Sequence, residues 1–272
     1  MFIIGERLNS ARKSICEAFQ ARDEKFLIDQ ALRQEQAGAH YIDLNAAALL
    51  DHEIEILRWA IPVLQKNLKV PISLDTPNPE AMEEGLKCHK GKALLNSLTA
   101  EKNRLYRMLP IIRDFKPQII VLCLDEEGTP RTPEKSVQIA EQMVNLLQRE
   151  GIRLEDLFVD PLVRPVGVEW DASPLFLESI GKIKASLPGV KTIAGISNIS
   201  FGLPRRSLFN RTLLVLALQQ GLDAAICDPL DAELQASLAA SQALLGKDPG
   251  LKNFLTWNRK LKRQDRTDRE NS

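Results

Sequence analysis

The feature that most constrains this chain is a rhythm. A short β-rich segment, a few polar or Gly/Pro residues and an amphipathic helical stretch recur from end to end. Candidate strands are Phe2–Gly5, His40–Leu44, Val70–Leu74, Ala93–Leu95, Gln118–Leu124, Leu157–Val159, Lys191–Ile196 and Asp223–Cys227. Between them, Ile28, Ala31, Leu32 and Glu35 fall on one side of a first helical segment, and Ile54, Leu57, Ile61 and Leu64 mark the apolar face of the next. Further helices are expected near Glu80–Lys87, Lys102–Asp114, Pro133–Arg149, Pro174–Ser186, Ser207–Gln219 and Ala232–Leu245. Pro79 and Pro133 stand where first-turn prolines are tolerated, and Gly151, Gly189 and Gly221 follow helical stretches. Pro62 is expected to kink or shorten its helix. Asp51 and Asp171 read as helix caps.

Strands alternating with helices predict a parallel β/α architecture. The 272 residues are close to the ~250 typical of an eight-fold barrel. No Gly-x-Gly-x-x-Gly follows the first strand, which weakens an open dinucleotide-binding sheet. The expected fold is therefore α/β, a single (β/α)8 TIM barrel over residues 1–257. Residues 258–272 read as a charged, mobile tail with six basic and three acidic side chains.

Composition removes several function classes. With 44% hydrophobic residues the chain can bury a large core. Thirty-six basic residues against 36 acidic ones argue against a nucleic-acid partner, which calls for a basic surface. No apolar run has the ~18 residues of a membrane span, and no signal-peptide pattern is seen at the start. Cys16, Cys88, Cys123 and Cys227 fit neither a paired zinc pattern nor a disulfide framework. A cytoplasmic protein is expected.

Barrel enzymes build their sites at the C-terminal ends of the strands. That makes a shortlist of Glu6, Arg7, Asn9, Asp43, Asn45, Asp75, Asn96, Ser97, Asp125, Glu126, Asp160, Ser197, Asn198 and Asp228. Carboxylates accept hydrogen bonds and carboxamides both donate and accept, so together they match the edge of a flat heterocycle. Taken singly, Asp75 could serve an Asx-turn and Asp228 could cap the last helix. Three scattered histidines make a catalytic zinc improbable, and no Gly-x-Ser-x-Gly elbow or Walker loop is present.

At these residues the chain resembles the methyltetrahydrofolate:corrinoid methyltransferases of the pterin-binding barrel superfamily. The stations are Ile-Gly-Glu-Arg-Leu-Asn (4–9), Gly-Ala-His-Tyr-Ile-Asp-Leu-Asn (38–45), Ser-Leu-Asp-Thr-Pro-Asn-Pro (73–79), Leu-Asn-Ser-Leu-Thr-Ala-Glu (95–101), Asp-Pro-Leu (160–162) and Gly-Ile-Ser-Asn-Ile-Ser-Phe-Gly-Leu-Pro-Arg-Arg (195–206). The resemblance implies that Asp75, Asn96 and Asp160 anchor a pterin. It also implies that Asn198 lies near the methyl-bearing N5 as the catalytic residue, and that Arg206 meets the folate's glutamate carboxylates. It implies 5-methyltetrahydrofolate or tetrahydrofolate as substrate, a corrinoid (cobalamin) carried on a partner protein, and a homodimer. The chain departs from the family's pattern at Ala46-Ala47-Ala48, at Arg164 and at Phe201. Two other readings compete: a non-catalytic pterin-binding protein, and a dihydropteroate-synthase-like enzyme. The second would need a lysine and a Ser-x-Arg near the last strands.

Overall fold

The computed structural model describes residues 1–259. Eight parallel strands close into a barrel in chain order. They are β1 (Phe2–Asn9), β2 (Tyr41–Asn45), β3 (Ile72–Asp75), β4 (Leu94–Leu98), β5 (Gln118–Leu122), β6 (Leu157–Asp160), β7 (Lys191–Gly195) and β8 (Ala224–Cys227). Closure comes from β1 pairing with β8, Phe2 opposite Ala224 and Gly5 opposite Cys227.

The surrounding helices are α1 (Lys13–Ala21), α2 (Glu24–Gln36), α3 (Glu53–Asn67), α4 (Pro79–Cys88), α5 (Lys102–Phe115), α6 (Pro133–Arg149), α7 (Ala172–Ser186), α8 (Arg206–Gln219) and α9 (Ala232–Leu244). Residues 252–259 are also helical, so the expected tail begins with two helical residues, Asn258 and Arg259. The rest of it, from 260 onward, lies outside the described residues. No helix among the described residues is long and apolar enough to cross a membrane.

Two apolar layers hold the barrel. Outward-facing strand residues such as Ile72, Leu74 and Leu95 pack with Leu57, Ile61 and Leu64 of α3 and their neighbours. A separate cluster of Ile4, Tyr41, Leu94, Ile120, Phe158, Ile193 and Ala224 fills the inside. Burying each large apolar side chain contributes ~1.5–3 kcal/mol, so this plug fixes the strand register on which the site depends.

Most strands run further than their apolar residues suggest, while β5 and β7 stop at Leu122 and Gly195, short of the expected Leu124 and Ile196. Strand β1 extends to Asn9, β3 to Asp75, β4 to Leu98 and β6 to Asp160. Inward-facing residues are apolar low in the barrel and polar at its C-terminal mouth, so the last strand residues read as loop. Helix α1 was not expected; its short stripe of Ile15, Ala18 and Phe19 is buried. The buried face of α2 is Leu27, Gln30, Ala31 and Gln34, one residue off the expected side. Two buried glutamines had disguised it.

Pro62 neither ends nor shortens α3, which continues to Asn67. It stands on the exposed side, where water can satisfy the carbonyl it orphans. Asp51 does not cap a helix; it lies inside a 3-10 turn, Ala47–His52. Asp171 occupies the position before α7 but makes no side-chain cap bond. Pro174, three residues on, has no N–H to offer it. The first-turn prolines and the glycines after helices behave as expected: Pro79 and Pro133 open α4 and α6, and Gly151, Gly189 and Gly221 take positive φ.

Candidate active site

The mouth is assembled from β1 onward. Gly5 has no side chain because Gln34 of α2 needs the space; a Cβ there would lie 2.5 Å from Gln34 Oε1. The β1–β2 register slips between Gly5 and Leu8, and Gln34 Oε1 accepts from the Arg7 backbone N–H at 3.0 Å. This bulge leaves Glu6 and Arg7 both reaching the loops after β7 and β8. Glu6 accepts from Ser197 Oγ at 2.8 Å, and Arg7 Nη1 pairs with Asp228 at 2.7 Å. Asp228 also accepts from the Leu230 N–H, whereas Asp231 caps α9.

Across the mouth, Asp43, Asn45, Asp75 and Asn96 form one network on β2, β3 and β4. Asp43 Oδ1 accepts from Ser73 Oγ at 2.6 Å and from Asn96 Nδ2 at 3.1 Å. Asn45 Nδ2 donates to Asp75 Oδ2 at 2.9 Å. Burial pushes the Asp43 carboxyl well above its usual range, and the neighbouring Asp75 adds to this. Burial raises Asp75 as well, against the lowering effect of Asn45. Two buried carboxyls this close favour sharing a proton. The turn after β3 is held by Thr76, whose Oγ1 accepts from the Asn78 N–H, so Asp75 is not its Asx residue.

Asp160, at the end of β6, is buried and its pKa is pushed up to about 7 by that burial. It accepts from the Leu162 N–H at 2.7 Å. Leu162 holds the left-handed conformation at φ 68°, a strained state for a non-glycine residue. Asn198 lies in the 3-10 turn Ile196–Ser200 after β7 and is exposed at the mouth. Gly195 permits this placement, since a Cβ there would stand 2.9 Å from Asn198 Nδ2. Arg206 braces the same turn, its Nη2 donating to Ser197 O at 2.9 Å and its Nε to Ser200 Oγ at 3.1 Å.

The expected residues divide between two openings. Asn198 and Arg206, with Glu6, line a cavity of about 710 Å³ beside β1, β7 and β8. Asp75 and Asn96 line one of about 410 Å³ beside β3 and β4. Asp160 stands between the two groups in strand order. From the shortlist, Asp125 and Glu126 are not brought in: Asp125 pairs with Lys135 at 2.8 Å, and Glu126 accepts from the Lys102 N–H.

Asp43 and Glu6 belong to the mouth though the resemblance had not singled them out. Arg104 was missed altogether. From the first turn of α5 its guanidinium donates to Ser97 O at 2.7 Å, Thr76 O at 3.2 Å and Pro77 O. It ties the β3 and β4 loops together, and nothing local in the sequence signals such a reach. Phe201 (68% exposed) and Trp170 (85% exposed) stand on the loops after β7 and β6. Arg164, unusual for the resembled family, pairs with Glu169 of its own loop. Among the described residues no three His, Cys, Asp or Glu side chains are grouped to hold a metal ion.

Comparison with known proteins agrees with this geometry. Residues 5–228 match the family model described as pterin binding enzyme. The chain is 33% identical over 250 residues to the methylcorrinoid:tetrahydrofolate methyltransferase of Eubacterium limosum, covering 91% of this chain and 92% of that protein. It is 29% identical over 239 residues to the methionine synthase of Mycobacterium tuberculosis, covering 83% of this chain but 20% of that protein. Among solved structures, dihydropteroate synthase from Xanthomonas albilineans with 7,8-dihydropteroate superposes with a TM-score of 0.69 at 16% identity, covering 90% of this chain and 93% of that one. That last likeness is one of fold.

Proposed function

The chain belongs to the pterin-binding enzyme family, and on that premise we propose that it is a methyltransferase acting between tetrahydrofolate and a corrinoid. It moves a methyl group between N5 of tetrahydrofolate and the cobalt of a corrinoid that a separate protein brings to the barrel mouth. The observation that carries this reading is the mouth's chemistry. Asp75 and Asp160 end β3 and β6, and Asn96 lies in the middle of β4, so carboxyls and an amide line one barrel with no cation paired to either acid among the described residues. Such groups match the ring N–H, amino and carbonyl edge of a pterin. A wrong ligand would leave them unsatisfied at a cost of ~1–3 kcal/mol each.

The reacting nitrogen is a tertiary amine, a poor leaving group until it gains positive character. Asn198 takes the catalytic role because its amide can donate or accept as charge on N5 changes, and interactions that strengthen in the transition state are the ones that speed a reaction. Arg206 holds the turn that carries Asn198, and its remaining guanidinium hydrogens are the expected contact for the folate's glutamate carboxylates. The corrinoid supplies, when its partner protein docks, the nucleophilic or methyl-carrying cobalt. Everything else at the site is the work of this chain's own side chains.

A dihydropteroate-synthase-like activity lacks its diphosphate residues. Lys191 points its ammonium at Glu155 O, at the opposite end of the barrel, and no Ser-x-Arg follows β8. A homodimer is supported by Leu208, Phe209, Val215 and Leu216, all exposed on α8. Four free cysteines, two of them buried, support a reducing, cytoplasmic setting.

Methyl transfer from methyltetrahydrofolate to free cob(I)alamin tests the reading. The wild type is expected to transfer, and Asn198→Ala to lose roughly 10²–10³-fold in rate, as when one transition-state donor is deleted. Tight binding of methyltetrahydrofolate with no transfer would leave a pterin binder instead.

A further inference from the structure

The methyl-transfer chemistry needs a proton at N5, and the residues matched by resemblance contain no acid assigned to that task. The cavity that holds Asn198 also holds three carboxyls: Glu6, Asp228 and Asp231. Two are committed. Asp228 is paired with Arg7 at 2.7 Å, and Asp231 accepts the first N–H groups of α9 at 3.0 Å and the Ser207 hydroxyl. Glu6 differs. Its one hydrogen-bond partner among the described residues is the hydroxyl of Ser197, the residue immediately before Asn198, and the nearest cation, Arg12, is 4.0 Å away.

Resting on the methyl-transfer reading, we propose that Glu6 is the acid–base residue of this site. It gives N5 its proton when the methyl group leaves folate and takes that proton back in the reverse direction. In the forward step the N5–CH3 bond breaks with its electron pair staying on nitrogen. The methyl group passes to the corrinoid's electron pair, and the Glu6 proton goes to N5. In reverse, N5 gives its lone pair to the incoming methyl group and its proton to the Glu6 carboxylate. Atoms and charge balance in both directions with no further reactant.

Three features suit Glu6 to the task. The β1 bulge fixes where it stands, through Gly5 and Gln34. Its bond to Ser197 ties it to the turn that carries Asn198. Burial also pushes its carboxyl above the usual range, against the lowering effects of the Ser197 hydroxyl and Arg12. The other groups facing it are Asp228 after β8, which raises it further, Arg206 at the start of α8, which lowers it, and Asp43 on β2 and Cys227 on β8, both within its field. An acid raised toward neutrality matches Brønsted efficiency near the working pH.

Glu6→Gln tests the assignment, because a glutamine can still accept from Ser197 while losing the titration. Single-turnover transfer from methyltetrahydrofolate to cob(I)alamin is expected to slow by at least tenfold, with the dissociation constant for methyltetrahydrofolate within about twofold. The wild-type rate should show an ionisation above the ordinary carboxylate range that Glu6→Gln lacks. An infrared difference spectrum of the two proteins without any ligand should show one titrating protonated-carboxyl band lost from Glu6→Gln, the bands of Asp43, Asp75 and Asp160 being common to both. Equal rates and equal pH profiles would overturn the assignment while leaving methyl transfer standing. Weakened folate binding with an unchanged pH profile would also overturn it, reducing Glu6 to a structural residue. A wild type that binds methyltetrahydrofolate and transfers nothing overturns the methyl-transfer reading, and this assignment with it.

Discussion

The two ends of the barrel treat their acids in opposite ways. At the N-terminal end, Asp156 meets Lys92 at 2.5 Å and Arg153 at 2.9 Å, and Asp223 meets Lys184 at 2.8 Å. Tyr41 and Gln118 close the interior there with a 2.6 Å hydrogen bond. At the C-terminal end, Glu6, Asp43, Asp75 and Asp160 rely on hydroxyls, amides and backbone N–H groups, and burial raises the pKa of all four. The charges below are neutralised by the protein itself. The four above, unlike Asp228 with its Arg7 partner, are held under-compensated, which costs folding stability and reserves their hydrogen-bonding capacity for a ligand.

Substitutions that break this contrast should separate activity from stability. The largest effect is expected from Asp75→Asn at the mouth. Affinity for methyltetrahydrofolate, read by titration, should fall about 30-fold, ~2 kcal/mol. The melting temperature should hold or rise, because one desolvated ionisable carboxyl is gone. Asp156→Ala at the other end should do the reverse. Urea unfolding should show a loss of about 2 kcal/mol, since two cations lose their buried partner, while kcat/KM of the folded fraction stays unchanged. A fall in folate affinity for Asp156→Ala as large as for Asp75→Asn would erase the distinction between the ends.

Gly195→Ala is a finer probe. Its new methyl group would press on the Asn198 amide, the free end of an exposed side chain, so the fold should absorb it. Transfer should slow about tenfold, ~1.4 kcal/mol, with little change in melting temperature. Loss of the fold instead would mean that the turn, rather than the amide, is what glycine protects.

The last test is a slope with pH rather than a loss at one pH. Asp160 ionises at about 7 when folded and near the ordinary aspartate value of ~3.9 when unfolded. Between those values the folded state binds more protons than the unfolded one, so stability falls as pH rises from about 4 to about 7, by roughly 1 kcal/mol per pH unit. In Asp160→Asn, denaturant midpoints measured across that range should show a shallower slope. An unchanged slope would remove Asp160 from the under-compensated set.

Much of this was legible in the residues. The alternation of apolar strands and amphipathic helices foretold eight strands and the closed parallel barrel, and strand-end reading placed Glu6, Asp43, Asp75, Asn96, Asp160 and Asn198 near one mouth. The misplaced helix face and strand ends share a cause. Gln30 and Gln34 are buried although polar, and strand residues such as Asp75 and Asp160 are polar although they belong to the barrel wall. Hydrophobic periodicity finds only what is both regular and apolar. The cap read into Asp171 holds for its position before α7 but not for a side-chain bond.

What the sequence determined by itself was the order of elements and the stock of acids and amides, because both are written in local periodicity and composition. Which acids are compensated is set by the folded barrel. Lys92 and Asp156 are 64 residues apart, and Ser197 and Glu6 are 191 apart. Whether a carboxyl meets an ammonium, a hydroxyl or another carboxyl depends on barrel closure. So does its desolvation, and these two together set its charge and its use.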